Sequence, residues 1–149
     1  MGVWYEKGVR FSCTRCGACC LDHGEATAVI LNEGEPERMA RLLELPVGRF
    51  LSKHTRGQGG FLCLANRGRA CVFYSEEAGC TVRRARPLQC ATWPFWPENL
   101  EPAKWEKDVL AVCPGIGKGR LYPADRIEKI ARSMKYARLL EARGREGVP

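Results

Sequence analysis

Residues 13–20 read CTRCGACC, so Cys13, Cys16, Cys19 and Cys20 fall within eight positions of one another. Four thiols this close along a chain are hard to explain as core packing. Thiolates are the ligands that select zinc and iron–sulfur clusters over hard cations. The stretch therefore predicts a metal-binding knuckle, and we expect it to decide how the chain folds.

Five further cysteines follow the knuckle, at Cys63, Cys71, Cys80, Cys90 and Cys113. Successive side chains point in different directions, so we expect the adjacent Cys19 and Cys20 to serve different centres, or one of them to be free. Setting Cys63 aside leaves eight thiols, enough for two four-thiolate sites. The predicted first centre contains Cys13, Cys16, Cys19 and Cys113. The predicted second centre contains Cys20, Cys71, Cys80 and Cys90. A single centre, with four other thiols in structural roles, is the alternative.

The spacing of Cys13, Cys16 and Cys19 is the C-x2-C-x2-C pattern that wraps three corners of a four-iron cluster in bacterial ferredoxins. The fourth cysteine of that pattern is missing, although a distant Cys-Pro pair occurs at Cys113. A zinc ribbon needs a second C-x2-C, and the sequence has none after residue 20. The predicted cofactor is an iron–sulfur cluster, of the 4Fe–4S type, and/or zinc.

Size and composition predict a single domain spanning residues 1–149, because 45% of residues are hydrophobic and 28% are charged. No apolar run has the length of a membrane span, and the N-terminal residues lack the pattern of a signal peptide. We therefore expect a cytoplasmic protein without a membrane partner, whose thiols stay reduced. The formal net charge of +7 omits thiolates, so it is weak support for a nucleic-acid partner, which we disfavour.

The pattern along the chain predicts an α+β fold: a small, irregular, loop-rich domain organised around cysteine-ligated metal centres. Short helices, a small hairpin or sheet, and a C-terminal helix are expected. One predicted helix starts near Glu33, is capped by Asn32 and is ended by Pro46. The other predicted helices lie at 47–51, at 87–91, around Trp105 and at 123–144. The predicted strands lie within 1–12, at 26–31, at 61–65 and 71–74 (joined by the turn 66–69), and at 80–82, with a loop at 57–60.

Several other side chains are candidates for roles beside the cysteines. Arg86 is held by the proline that follows it, and its guanidinium is expected to donate toward Cys90 or Cys80. His23 is a weaker alternative ligand, and His54 is expected to be structural. Three aromatic residues after Cys90 are interpreted as core residues that also keep a cluster dry: Trp93, Phe95 and Trp96.

Three blocks of the sequence, FSCTRCGACC at 11–20, CVFYSEEAGCTVRRARPLQCATWPFWP at 71–97 and CPGIGKG at 113–119, resemble the CxxCxxCC cysteine-cluster family, often called YkgJ-like. The resemblance covers residues 11–119. It implies a zinc- or iron-chelating core, and the family is often labelled an iron–sulfur oxidoreductase. The family cysteines fall on Cys13, Cys16, Cys19, Cys20, Cys71, Cys80, Cys90 and Cys113, with Cys63 outside the pattern. A similar cluster in flagellin lysine methylases implies a possible role beside methyl transfer.

The sequence thus predicts a metal-binding protein that acts in electron transfer, redox chemistry or as an accessory to a partner enzyme. Its partners would be metal ions and a redox or enzyme protein. The alternative is a zinc-only structural module that binds a macromolecule through its basic face and C-terminal helix. A metal-delivery protein is a third hypothesis. Nothing in the residues establishes whether the protein is an enzyme.

Overall fold

The computed structural model describes residues 2–16, 29–58 and 60–134. Its short helices and small antiparallel sheets form an α+β architecture, as the sequence predicts. Internal contacts divide the described residues into two compact units. Unit 1 contains residues 2–16 and 92–134, and unit 2 contains residues 29–91 apart from residue 59. The single domain over residues 1–149 stays a prediction.

The elements of the described residues follow one another in a regular order along the chain. In that order they are β1 (Val9–Phe11), α1 (Glu35–Leu42), α2 (Val47–His54), β2 (Thr55–Gln58), β3 (Phe61–Leu64), β4 (Asn66–Arg67), β5 (Ala70–Cys71), β6 (Tyr74–Ser75), β7 (Gly79–Cys80), a 3-10 turn (Arg83–Ala85), α3 (Leu88–Ala91), a second 3-10 turn (Pro97–Leu100), α4 (Pro102–Lys104), a π-helix (Trp105–Leu110), β8 (Arg120–Tyr122) and α5 (residues 124–134).

Unit 2 contains helices α1 and α2, then three small antiparallel hairpins, β2–β3, β4–β5 and β6–β7, and ends with a 3-10 turn and α3. Residues 29–31 run along the free edge of β3, where the Leu31 N–H donates to the Leu62 carbonyl at 2.9 Å. The two helices and the hairpins bury one apolar cluster. Its members are Val29, Leu31, Met39, Ala40, Phe50, Leu64, Cys71, Phe73, Val82 and Ala85.

Helix α1 differs from its prediction at both ends. It begins at Glu35, and no side chain caps it; instead the Asn32 N–H donates to the Glu35 carboxylate at 2.8 Å. The helix ends at Leu42, before Pro46, because Glu44 adopts a left-handed φ of 56°. Pro46 stands directly before α2 and therefore starts that helix rather than ending α1.

The strands of unit 2 pair differently from the predicted hairpin. Residues 55–58 form β2 and pair with β3, so the glycine-rich stretch predicted as a loop is half strand. The predicted 66–69 turn is also half strand, since β4 pairs with β5 across Gly68 and Arg69. Gly68 has a φ of 62°, which suits this two-residue turn. The glycines in this stretch favoured a loop, but hydrogen bonding to the apolar strand β3 makes residues 55–58 a strand.

His54 packs its ring against Phe50 and Phe73, with ring centroids 5.6 and 5.0 Å apart. Its Nδ1 is buried and has no hydrogen-bond partner within the part of the chain that the structure describes. Burial, and secondarily the charge of Lys53, lowers the pKa of His54 below the ordinary 6.5. The folded state therefore holds this ring neutral at pH 7, in a structural role.

Acidification is expected to weaken the fold through His54. As pH falls through 6.5, the unfolded chain takes up a proton that the folded chain resists, so this histidine's contribution to stability declines. The decline ends below the lowered pKa of the folded state. His54→Phe keeps an aromatic ring in place and should flatten this part of the profile. Urea unfolding of both proteins across this range measures the difference; identical pH profiles would contradict the assignment.

Unit 1 is built on the antiparallel pair β1–β8, with Val9 opposite Tyr122 and Phe11 opposite Arg120. The helix predicted around Trp105 is confirmed, and it has π-helical form. The buried cluster of this unit contains Tyr5, Val9, Phe95, Trp105, Val109 and Ile127. The ring of Phe95 lies at its middle, 5.1 Å from Tyr122 and 6.2 Å from Trp105 between ring centroids.

The predicted C-terminal helix is confirmed over residues 124–134. Ile127 and Met134 are buried on one face, as their spacing indicates, and the rest of the predicted helix lies outside the described residues. The Tyr5 hydroxyl donates to Glu128 Oε1 at 3.5 Å, and burial together with that carboxylate raises the pKa of Tyr5. Within the described ranges, no helix has both the length and the apolar character needed to cross a membrane.

Candidate metal centres

The turn that separates Cys13 from Cys16 is directed at sulfur. The Arg15 N–H donates to the Cys13 Sγ at 3.4 Å. Arg15 has a left-handed φ of 59°, which is uncommon for a residue with a side chain. Backbone N–H groups aimed at a sulfur stabilise the negative charge that a metal-bound thiolate carries. This local geometry suits a thiolate ligand.

Cys113 reaches the same end of unit 1 through backbone pairing. At the end of β1, Phe11 also forms an antiparallel bridge with Ile116. Directly after β1, the Ser12 N–H donates to the Gly115 carbonyl at 3.1 Å. In an antiparallel pair, the residue that follows a paired position in one segment lies beside the residue that precedes the partner position in the other segment. Cys13 and Cys113 therefore leave this pairing at the same end, one and two residues beyond it.

Glycine at two positions is required for this close approach. A Cβ on Gly115 would collide with the carbonyl oxygen of Ser12, and a Cβ on Gly119 would collide with the Ser12 side chain. Gly119 also has a φ of 74°. The glycines in the CPGIGKG block therefore let the backbone lie directly against the residue that precedes Cys13.

The surroundings of Cys113 are apolar. This half-buried cysteine packs against the core cluster of unit 1, and its N–H donates to the Val109 carbonyl at 2.8 Å. Phe95 is buried in that cluster and Trp93 packs against it, which confirms that they are core residues. An apolar surrounding of this kind limits the access of water to a thiolate.

Three more of the predicted ligands lie in unit 2. Cys71 ends β5 and is buried in the core cluster, while Cys80 in β7 and Cys90 in α3 are half-buried and pack against the same cluster. Hairpin pairing positions the first two, since Cys71 lies opposite Asn66 and Cys80 lies opposite Tyr74. The predicted partition of the ligands thus corresponds to the two units as far as the described cysteines go.

The described part of the chain does not by itself assemble a metal site. Within residues 2–16, 29–58 and 60–134, no three cysteine, histidine or carboxylate side chains form a group able to hold a metal ion. Cys19, Cys20 and the alternative ligand His23 lie outside the described residues. The predicted ligands that the structure does describe are all cysteines. Thiolates of this kind are suitable ligands for zinc or iron. Their assignment as ligands stays a prediction.

Cys63, which the predicted ligand set excludes, is buried in β3. It is 1% exposed in the middle of β3, and its Sγ lies 3.9 Å from the Phe61 carbonyl oxygen. The expected donation from the Arg86 guanidinium also stays a prediction. What the structure records for Arg86 is its carbonyl oxygen, which accepts from Arg38 Nη2 at 2.6 Å.

Sequence reasoning missed two buried polar residues beside Cys90. Glu35 is 5% exposed and Gln89 is 9% exposed. The Glu35 carboxylate accepts from the backbone N–H of Leu88 at the start of α3, and the Gln89 side chain accepts from the backbone N–H of Ile30. Glu35 gave no signal, because a glutamate in the first turn of a helix is common. Gln89 stands inside the quoted RPLQC stretch, directly before the cysteine, which was the only available cue.

The fold and its thiols define a small cysteine-rich α+β protein. A family model named CxxCxxCC and described as a putative zinc- or iron-chelating domain matches residues 12–114. The chain belongs to this family. The match includes the knuckle and Cys113, and it confirms the family that the sequence blocks indicated. No solved structure matches the chain.

Proposed function

We propose that this protein holds an iron–sulfur cluster, a zinc ion, or both through cysteine thiolates, and serves redox or accessory chemistry for a partner enzyme. The observation that carries the proposal is the N–H···S bond from Arg15 to Cys13 within the knuckle turn. The family description supports the coarser part, the binding of zinc or iron. The proposal keeps the protein in the cytoplasm, where thiols stay reduced.

The first proposed centre uses Cys13, Cys16 and Cys113, joined by Cys19. Support comes from the pairing of Ser12 with Gly115, because Cys13 and Cys113 both lie just beyond the same end of this antiparallel pair. The aromatic cluster behind Cys113 would keep water from the ligands. Exclusion of water and N–H···S bonds are the two means by which a protein sets the potential of a thiolate-held cluster.

The second proposed centre uses Cys71, Cys80 and Cys90, joined by Cys20. Support comes from the shared apolar cluster against which all three described thiols lie. Such a centre would tie together two short hairpins and a four-residue helix, which have little stability of their own. An iron–sulfur cluster supplies one-electron transfer when bound, whereas a four-thiolate zinc supplies only structure.

Anaerobic purification with elemental analysis tests the proposal. Iron with matching acid-labile sulfide, and broad visible sulfur-to-iron absorption, are the expected results for a cluster. A colourless protein with stoichiometric zinc would favour the alternative, a zinc-only module that binds a macromolecule. Rapid loss of the metal to a chelator, with the fold retained, would favour metal delivery. Absence of bound zinc and iron from protein handled without oxygen would contradict every form of the proposal.

Removal of the metal is expected to unfold much of the chain. A structural thiolate site contributes on the order of 10 kcal/mol in small zinc-binding peptides, which matches the entire stability of an ordinary domain. Thermal unfolding followed by circular dichroism, before and after incubation with a strong chelator, measures the effect. An unchanged melting curve after complete removal of the metal would show that the metal has no structural role.

A further inference from the structure

The segment Arg86–Cys90 leads into one of the proposed ligands, and buried polar groups hold it in place. The Glu35 carboxylate is the central one. Its Oε1 accepts from the Leu88 N–H at 2.7 Å and from Asn32 Nδ2 at 3.3 Å, and its Oε2 accepts from the Asn32 N–H at 2.8 Å. At 5% exposure, this side chain is almost entirely removed from solvent.

The bond to Leu88 fixes the helix that carries Cys90. Helix α3 has four residues, and Leu88 is the first of them. The Cys90 N–H donates to the Pro87 carbonyl at 3.0 Å, so Cys90 belongs to the same single turn as Leu88. A helix this short leaves its first N–H groups without internal partners. Glu35 supplies the partner, and it thereby sets the direction of the turn.

Two further bonds hold the segment on either side of Leu88. Arg38, one turn along α1 from Glu35, donates from Nη2 to the Arg86 carbonyl at 2.6 Å. Gln89, buried at 9% exposure, accepts the Ile30 N–H on its Oε1 at 3.1 Å. Helix α1 and residue 30 therefore clamp the backbone immediately before Cys90.

A buried carboxylate is a costly choice for this task. Removing an ionised group from water is strongly unfavourable unless its oxygens accept enough hydrogen bonds. Packing alone would be served by an apolar side chain. Glu35 instead satisfies three N–H donors with two oxygens, which fixes distance and direction as well as contact. Such a fixed frame matters most where a side chain must stay within a narrow geometry.

We propose, resting on the proposed function, that Glu35 is a positioning residue for Cys90: it orients α3 so that the Cys90 thiolate is held in the direction that metal binding requires. The groups that orient metal ligands commonly account for 10- to 100-fold in metal affinity when they are replaced. Glu35 acts through Leu88 and does not itself contact the metal. Loss of its carboxylate should therefore affect Cys90 more than Cys71 or Cys80.

The test is the alkylation of metal-loaded, full-length protein by iodoacetamide, with the rate at each cysteine followed by peptide mass spectrometry. In the unaltered protein, metal should slow alkylation of Cys71, Cys80 and Cys90. Glu35→Gln keeps the side-chain volume and one accepting oxygen, so the chain should fold. Glu35→Ala removes both accepting oxygens and is expected to raise the alkylation rate at Cys90 by roughly 10- to 100-fold, with a smaller change at the other two. Glu35→Gln, which can still accept from the Leu88 N–H, should give a smaller rise at Cys90.

Phe50→Leu is the matched control, because Phe50 is buried in the same core cluster but has no polar group to bond the segment. It should change the three rates together. Equal protection of Cys90 in Glu35→Ala and the unaltered protein, or a parallel rise at all three cysteines, would overturn the inference and leave the proposed function standing. Failure of metal to protect Cys90 in the unaltered protein would overturn the ligand assignment itself.

Discussion

Cys16→Ser is expected to yield protein that has lost roughly half of its bound metal and much of its thermal stability. A serine hydroxyl stays protonated at neutral pH, so it cannot replace a thiolate as a ligand for zinc or for an iron–sulfur cluster. Only the first of the two proposed centres uses Cys16. Metal held at the second centre should remain, which is why the expected loss is partial.

Cys63→Ala is the control for this experiment. Cys63 is buried in β3 and lies outside the proposed ligand set, so its replacement should leave the metal content unchanged at a small cost in stability. Elemental analysis of both variants, purified without oxygen, gives the comparison, and thermal unfolding gives the stabilities. Full metal content in Cys16→Ser would remove Cys16 from the ligands. Loss of metal in Cys63→Ala would show that the ligand set is wrong.

Gly115→Ala is expected to destabilise unit 1 and to weaken metal binding at the first centre. The added Cβ would meet the carbonyl oxygen of Ser12, so either the ladder or the turn after Cys113 must shift. Forcing atoms into a filled site costs about 1–3 kcal/mol, and backbone atoms relax less readily than side chains. The shift would move Cys113 away from Cys13, so metal content should fall together with stability.

Gly48→Ala makes the same chemical change where there is room. Gly48 lies on the exposed side of α2, and a Cβ there meets no atom within 4 Å. Replacement of a helical glycine by alanine typically stabilises by about 0.4–1 kcal/mol. Denaturant unfolding should therefore give shifts of opposite sign for the two variants. Similar stability for both would show that the contact between Gly115 and Ser12 is unimportant.

Local patterns in the sequence predicted much of the fold. Alternating helical spacing identified α5 through Ile127 and Ile130, and Pro87 identified the short turn of α3. The pairing of β1 with β8 could not be predicted, because β8 is three residues long and its partner is more than 100 positions away. Nothing local in such a short strand distinguishes it from a loop.

The candidate site shows the same division. Thiol spacing predicted the metal chemistry, and the family match supports it. The supporting groups were hidden, since the role of Gly115 depends on how closely Ser12 approaches, and the role of Glu35 depends on a hydrogen bond to Leu88. Both are properties of distant segments meeting. The grouping of the cysteines stays a prediction, because Cys19 and Cys20 lie outside the described residues.

The pairing between Ser12 and Gly115 joins two segments that are synthesised at different times. Cys13 and Cys16 leave the ribosome about 100 residues ahead of Cys113. At the usual speed of elongation, this gap lasts on the order of 5 to 20 s. The knuckle must wait through that interval with an incomplete set of proposed ligands. Completion of the proposed first centre would therefore have to wait until Cys113 is synthesised, and the early thiols would need reducing surroundings while the chain grows.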